Sequence, residues 1–383
     1  MTEATEEATA TADVVVAANA NVNADAKTVI AANTPEWRII GETVPGASHL
    51  RAGVPNQDAI LHLRESSVAL PLILSISDGH GSNKCFRSDR GSRFAVTIGA
   101  ELMRELLNEK RSDYDASKIE NKAKEGLPVE FARRWNEAVA ADLKREPLTK
   151  AEFDQLEAKD GGRARQIVEA HQSLAYGATT LTVALTQSFV LYLQLGDGEI
   201  ITVSQTGEVS KPLPEDERLL ANETTSLCSD SAAKDFRFAY QPLSNPPPAL
   251  ILMTTDGYAN SFTNDAGFLQ VGSDILEMLR TNGFDTVNRS VKGWIEEATR
   301  VGSGDDCTLG ILVRMDSLKR PAPSPPAETS AESSAPLQPS PSSASPHDTQ
   351  TASAKSEVQA PTIVPTTNVN EAITDSSTKK TQP

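Results

Sequence analysis

The sequence predicts an α+β fold built in layers. Short apolar strands arrive in clusters joined by tight turns, which pairs them antiparallel. Amphipathic helices arrive in separate blocks, which places them over sheet faces rather than in alternating crossovers. Every aromatic residue falls within residues 34–316 of the 383, so that span alone has the bulk for a core and is read as one domain.

Residues 37–40 and 59–63 read as the first two strands. Residues 68–77 form a third, nearly all apolar and so buried on both faces. Beyond a glycine loop, Phe94, Ile98, Leu102 and Leu106 recur every four residues and mark a long amphipathic helix. Two further helical blocks cover about 129–144 and 163–174, and residues 181–185, 189–195 and 199–203 form a meander. Strands at 249–254 and 308–314 are separated by helices near 273–281 and 286–301. The chain shows no Gly-rich dinucleotide fingerprint, no phosphate loop and no internal repeat.

Outside that span the composition changes. Residues 1–33 are rich in Ala, Thr, Glu, Val and Asn, while nearly half of the 23 prolines lie beyond residue 320 among Ser, Thr and Ala. Such segments bury too little apolar surface to offset the entropy of ordering, so 1–33 and 317–383 are expected to be disordered. The tail offers Ser and Thr beside Pro to a partner kinase, or serves as a passive linker. Most of the net charge of -16 falls on the central span; an acidic domain gains nothing from counterion release, which argues against nucleic-acid binding. Cys85, Cys228 and Cys307 show neither disulfide nor metal-finger spacing, as expected of a reducing compartment, and a cytoplasmic location follows. The apolar run at 14–18 is too brief and too acidic in its approach for a signal core, and no stretch nears the roughly 20 apolar residues of a membrane span.

The chemistry is carried by aspartates at strand ends and turns. Asp78 in Asp78-Gly79-His80-Gly81, Asp197 in Gly196-Asp197-Gly198 and Asp256 in Asp256-Gly257 each close an apolar run. Asp58 in Asn56-Gln57-Asp58 and Asp305 in Gly304-Asp305-Asp306 sit just ahead of one. Taken singly, Asp-Gly is an ordinary hairpin turn. Taken together, carboxylates gathered at sheet edges repel one another unless a cation lies between them, which predicts a metal centre. Oxygen donors suit hard dications such as Mn²⁺ or Mg²⁺, and glycine beside a ligand lets the backbone carbonyl approach. Two such ions about 3.5–4 Å apart can share a water and lower its pKa.

Read in order, these motifs with Gly177-Ala178-Thr179-Thr180 and Asp305-Asp306-Cys307-Thr308 resemble the type 2C metal-dependent Ser/Thr protein phosphatases. Gly46-Ala47-Ser48-His49 and Gly53-Val54-Pro55-Asn56-Gln57-Asp58 resemble the bacterial branch. The resemblance implies a four-layer α-β-β-α sandwich of two antiparallel sheets flanked by helices. It implies two Mn²⁺ or Mg²⁺ ions held by Asp78, the carbonyl of Gly79, Asp256 and Asp305, with Asp58 holding water or binding directly. Asp197 with Asp256 falls where relatives bind a third, weaker ion, and His80 where some place the general acid that protonates the leaving oxygen. Catalysis would rest on Asp58, Asp78 and His80, acting on phosphoserine and phosphothreonine in partner proteins. A monomer that binds neither nucleic acid nor membrane is expected.

Two departures stand out. Many relatives carry Glu where this chain has Gln57, which removes a charge from the metal sphere. Many place a phosphate-binding Arg where this chain has Gly53; Arg51 is the nearest substitute, with Arg87, Arg90 and Arg93 as other candidates. The polar stretch 205–248, with Cys228 in it, resembles the mobile flap of bacterial members. A catalytically silent binding module and a hydrolase of small phosphate esters remain alternatives.

Overall fold

The computed structural model describes residues 35–64, 70–108, 116–215, 224–243 and 247–319. The expected disordered segments lie outside the described residues, apart from 317–319, as do residues 68–69 of the third expected strand and parts of the 205–248 stretch.

Among the described residues, ten strands form two five-stranded sheets, in the orders β1-β10-β9-β6-β7 and β2-β3-β4-β5-β8, with every pairing antiparallel. The first sheet takes β1 (Trp37–Val44), β10 (Cys307–Arg314), β9 (Leu250–Thr254), β6 (Glu199–Val203) and β7 (Val209–Ser210). The second takes β2 (Ala59–Arg64), β3 (Leu72–Ser77), β4 (Thr180–Leu185), β5 (Phe189–Leu195) and β8 (Arg237–Pro242). The helices are α1 (Ala47–Ala52), α2 (Ser88–Asn108), α3 (Ala116–Arg145), α4 (Lys150–Ala170), α5 (Ala232–Asp235), α6 (Asp256–Ala259), α7 (Asp265–Asn282) and α8 (Phe284–Val301). Among the described residues, no helix is long and apolar enough to cross a membrane.

The period of two along the strands builds the layers. Leu72, Leu74 and Ile76 of β3 and Leu181, Val183 and Leu185 of β4 face the other sheet, where they meet Ile251, Met253 and Leu312. Ile73 and Ala184 point the other way, into a core shared with α2, α3 and α4. The first sheet turns Leu309, Ile311 and Val313 toward α7 and α8. The four-layer sandwich follows, with an interior of apolar residues on three levels. Gly310 lets the sheets close: a Cβ there would sit 2.7 Å from Leu74 Cδ2.

Several elements differ from the sequence-based expectation. β1 runs on to Val44 through Gly41, because its pairing with β10 continues to Val44↔Cys307. Pro128 does not bound α3, which extends back to Ala116 and buries Ile119, Ala123 and Leu127 on one face. α4 starts at a capping box between Thr149 and Glu152, well ahead of residue 163, and kinks at Gly161, whose φ is +81°. Part of the stretch resembling a flap is instead the edge strand β8, paired with β5 from Phe189↔Pro242 to Gln194↔Arg237. Its Phe238 and Tyr240 pack on the helix side and Ala239 between the sheets.

Candidate metal centre

Topology brings the acids together. Antiparallel register puts the start of β2, the end of β3, the start of β4 and the end of β5 at one end of the second sheet, through Ala59↔Ser77, Ile76↔Leu181 and Thr180↔Leu195. The start of β6, the end of β9, the start of β10 and the end of β1 share one end of the first, through Glu199↔Thr254, Leu309↔Thr254 and Val44↔Cys307. The Gly196-Asp197-Gly198 turn joins β5 to β6 and so ties the two ends to each other. Asp58, Asp78, Asp197, Asp256 and Asp305 all stand at these strand ends.

One carboxylate oxygen from each of Asp78, Asp197 and Asp256 lies within 4.8 Å of the other two. Among the described residues, no Lys or Arg pairs with Asp58, Asp78, Asp197 or Asp256. The electrostatic consequence is strong. Burial, followed by the charges of Asp256, Asp58, Asp305 and Asp197, holds the Asp78 carboxyl well above its ordinary 3.8. Burial pushes Asp58 up to about 8 despite hydrogen bonds from Thr308 and Thr255 that favour the carboxylate. Asp256 is raised to about 7 by burial and then by Asp197 and Asp305. Burial also raises Asp305, against the Asp306 backbone N–H and the nearby His49. The cluster is an acid trap that opposes its own ionisation.

The backbone around these side chains is tightly fixed. Asp78 N–H donates to Thr179 Oγ1 at 3.0 Å, Thr179 N–H returns to Asp78 O at 2.8 Å, and Gly79 bridges Ala178. Thr255 and Thr308 donate to Asp58 Oδ2 at 2.8 and 2.6 Å. Two glycines are obligatory here. A Cβ on Gly79 would lie 2.5 Å from Gln57 O, and one on Gly257 would lie 2.0 Å from Asp306 O.

Asp306 is 2% exposed and acts as a clasp: its two oxygens accept the backbone N–H groups of Gly46 at 2.5 Å and Gln57 at 2.7 Å. These bonds, with Ser48 N–H on Gly304 O at 2.9 Å, dock α1 and the Gln57-Asp58 segment against the loop that carries Asp305. His49 of α1 lies between the two acids, with Nδ1 2.9 Å from Asp306 and Nε2 3.5 Å from Asp305. Sequence reasoning gave no role to His49, Asp306, Thr179, Thr255 or Thr308. The Gly-x-Ser-His run and a threonine beside or near each acid were the available signals.

His80 follows Gly79, its N–H on Gly177 O at 3.1 Å. Burial pushes its imidazole below the ordinary 6.5, with Asp197 opposing the shift. Of the four arginine candidates, three are engaged in the helical layer. Arg87 is buried against Glu152, Tyr176 and the carbonyls of Glu146 and Pro147, Arg90 pairs with Asp142 and Glu146, and Arg93 with Asp89. Arg51 is exposed in the last turn of α1 and has no partner among the described residues.

The residues fit a hard dication. Gln57 Oε1, Asp58 Oδ1 and Asp197 Oδ1 are buried oxygens that accept no hydrogen bond. Three lone-pair donors stranded in an acidic pocket are costly unless a cation takes them up.

Solved structures overlap this fold loosely. The Ser/Thr phosphatase Stp1 from Staphylococcus aureus aligns at TM-score 0.44 and 12% identity over 73% of this chain and 95% of that one. The Mycobacterium tuberculosis phosphatase PstP/Ppp aligns at 0.41 and 16% over 73% and 98%. The catalytic domain of PstP in complex with two manganese ions aligns at 0.43 and 15% over 73% and 99%. Overlap at these scores carries no argument about function. No curated protein matches the sequence. The protein phosphatase 2C family model, by contrast, matches residues 45–296, a span that contains Asp58, Asp78, Asp197 and Asp256. On that match, the chain belongs to the protein phosphatase 2C family.

Proposed function

We propose that this member of the family is a Mn²⁺- or Mg²⁺-dependent phosphatase of phosphoserine and phosphothreonine in proteins. The observation that carries the reading is the set of buried Asp58 and partly buried Asp78, Asp197 and Asp256 at one end of the sandwich, which no Lys or Arg among the described residues neutralises. Keeping self-repelling carboxylates costs stability, and only a cation or its chemistry returns that cost. This is also why a silent binding module fits less well.

Asp78, Asp256 and Asp305, with the Gly79 carbonyl, would hold two ions, and Asp197 with Asp256 a third. When bound, such ions neutralise phosphoryl charge and lower the pKa of water. The remaining work belongs to the chain. Thr255 and Thr308 hold Asp58 through Oδ2, which leaves its buried, unpartnered Oδ1 free to orient the nucleophile's proton. Thr179 pins the backbone of Asp78. His80 would donate a proton to the leaving oxygen, with the field of Asp197 counteracting its burial. Arg51, on the exposed rim, would meet the phosphate or an adjoining acidic residue.

The three cysteines are free, in keeping with a reducing cytoplasm, with phosphoproteins and a Ser/Thr kinase as partners. The test is hydrolysis of a phosphothreonine peptide and of p-nitrophenyl phosphate with and without Mn²⁺. Metal-independent turnover, or unchanged turnover in Asp78→Ala, overturns the reading; nucleotides or sugar phosphates cleaved faster than phosphopeptides would redirect it to small esters.

A further inference from the structure

Beside the Asp78, Asp197 and Asp256 group stands a second set of donors. Atoms of His49, Asp305 and Asp306 also lie within 4.8 Å of one another. Their roles are unequal. Asp306 is occupied by the Gly46 and Gln57 backbone N–H groups, so it has little left to give an ion. Its Oδ1 nevertheless lies 2.9 Å from His49 Nδ1. The contact is not aligned as a hydrogen bond; the Asp306 carboxylate lies against the Nδ1 edge of the ring and leaves Nε2 on the Asp305 side.

Nε2 lies 3.5 Å from Asp305 Oδ1, longer than an ordinary hydrogen bond. Two donors on neighbouring positions of one dication, each bonded at about 2.0–2.2 Å, stand roughly 3–3.5 Å apart. The pair is therefore spaced for an ion. An independent observation points to the same place. Gln57 is 7% exposed, and its Oε1 accepts no hydrogen bond. That oxygen and His49 Nε2 both lie 4.0 Å from the position of a Cβ on Gly81, so both face one small space left clear by the glycine.

The geometry points to His49 as a metal ligand: its Nε2, a carboxylate oxygen of Asp305 and the side-chain oxygen of Gln57 take one divalent transition-metal ion, with Asp306 on the far edge of the ring. This rests on the metal-dependent reading above and assigns part of the donor set to α1. An imidazole nitrogen joined to two oxygens selects Mn²⁺, Fe²⁺ or Zn²⁺ over Mg²⁺, which keeps to oxygen and water. It also gives Gln57 a positive role, since the nitrogen donor makes up in bonding for the charge that a glutamate would bring. The rival occupant of the same geometry is a proton, making an imidazolium paired with both carboxylates.

The experiment is pulsed electron paramagnetic resonance of the full chain loaded with Mn²⁺ alone, which registers hyperfine coupling to a directly bound imidazole nitrogen. Coupling is expected in the wild type and in His80→Gln, and its loss in His49→Gln, with at least about tenfold weaker binding of one Mn²⁺ by calorimetry. Circular dichroism of His49→Gln must match the wild type. Should that variant fail to fold, the wild-type and His80→Gln spectra still decide. Nitrogen coupling absent from the Mn²⁺-loaded wild type, or lost in His80→Gln and kept in His49→Gln, overturns the assignment. Failure of the phosphatase reading looks different: Mn²⁺ binds, nitrogen-coupled or not, and no phosphopeptide is cleaved.

Discussion

Replacing Asp58 by asparagine should stabilise the metal-free protein and weaken the manganese-loaded one. Asp58 is 7% exposed, and burial lifts its carboxyl from 3.8 to about 8. The folded-state value is the raised one, so between these limits the folded chain keeps a proton that the unfolded chain has lost. Stability from this group is therefore fully present below pH 3.8 and is lost as pH rises through about 8. Holding the carboxyl neutral at about pH 7 costs on the order of 4 kcal/mol, at roughly 1.4 kcal/mol per pH unit. Relaxation and water entry reduce that to an expected gain of about 1–3 kcal/mol for the substitution. Asparagine keeps an oxygen for Thr255 and Thr308, which donate at 2.8 and 2.6 Å, and turns its NH₂ toward the place where Oδ1 has no partner. Thermal melts followed by circular dichroism, in a chelator and in Mn²⁺, provide the assay. Without metal the variant should melt higher by about 3–10 °C near pH 8, with the gap closing toward about pH 4. With Mn²⁺ the order should invert, because a bound ion stabilises the wild type by mass action. A metal-free variant that melts below the wild type at the alkaline end, or a gap indifferent to pH, refutes the electrostatic argument.

Other substitutions separate the parts of the site. Gly257→Ala forces a Cβ to 2.0 Å from Asp306 O and should cost about 3 kcal/mol or more in denaturant melts while loosening Mn²⁺ binding. Arg87→Ala leaves Glu152 and the Tyr176 hydroxyl without their cation; a loss of about 3–5 kcal/mol in stability is expected. Arg51→Ala should leave melting and metal affinity unchanged and raise KM for a phosphopeptide several-fold, and an unchanged KM would remove Arg51 from the phosphate site. His80→Ala should slow phosphopeptide cleavage by about a hundredfold and slow p-nitrophenyl phosphate much less, since nitrophenolate leaves without a proton; equal losses on both substrates would exclude the general-acid role.

The sandwich was legible where chemistry is local. The apolar run closed by Asp78, the meander around Asp197 and the strands next to Asp256 and Asp305 declare both the sheets and the acids in sequence, because burial demands the first and strand-end placement marks the second. Elements that depend on distant partners were not. β1 continues past Gly41 only because β10 lies alongside it, and β8 exists through its pairing with β5. The helical block expected over about 129–144 starts earlier in the fold, where Ile119, Ala123 and Leu127 bury one stripe ahead of it. In the site, the candidate aspartates are marked in sequence by their strand-end positions, and the residues that support them are not. Asp306 reads in sequence as a twin of Asp305, and only the fold shows that it grips the Gly46 and Gln57 backbone. His49 is nearly 260 residues from the acids it meets, a separation that no periodicity spans.

A manganese-soaked crystal measured at the metal's absorption edge tests the central claim most directly. The expected map has anomalous peaks at the acid-lined end of the sandwich, in contact with Asp78, Asp256 and Asp305. A fully soaked crystal with no peak there, and with the Asp78, Asp197 and Asp256 oxygens still within 4.8 Å of one another, would contradict the account.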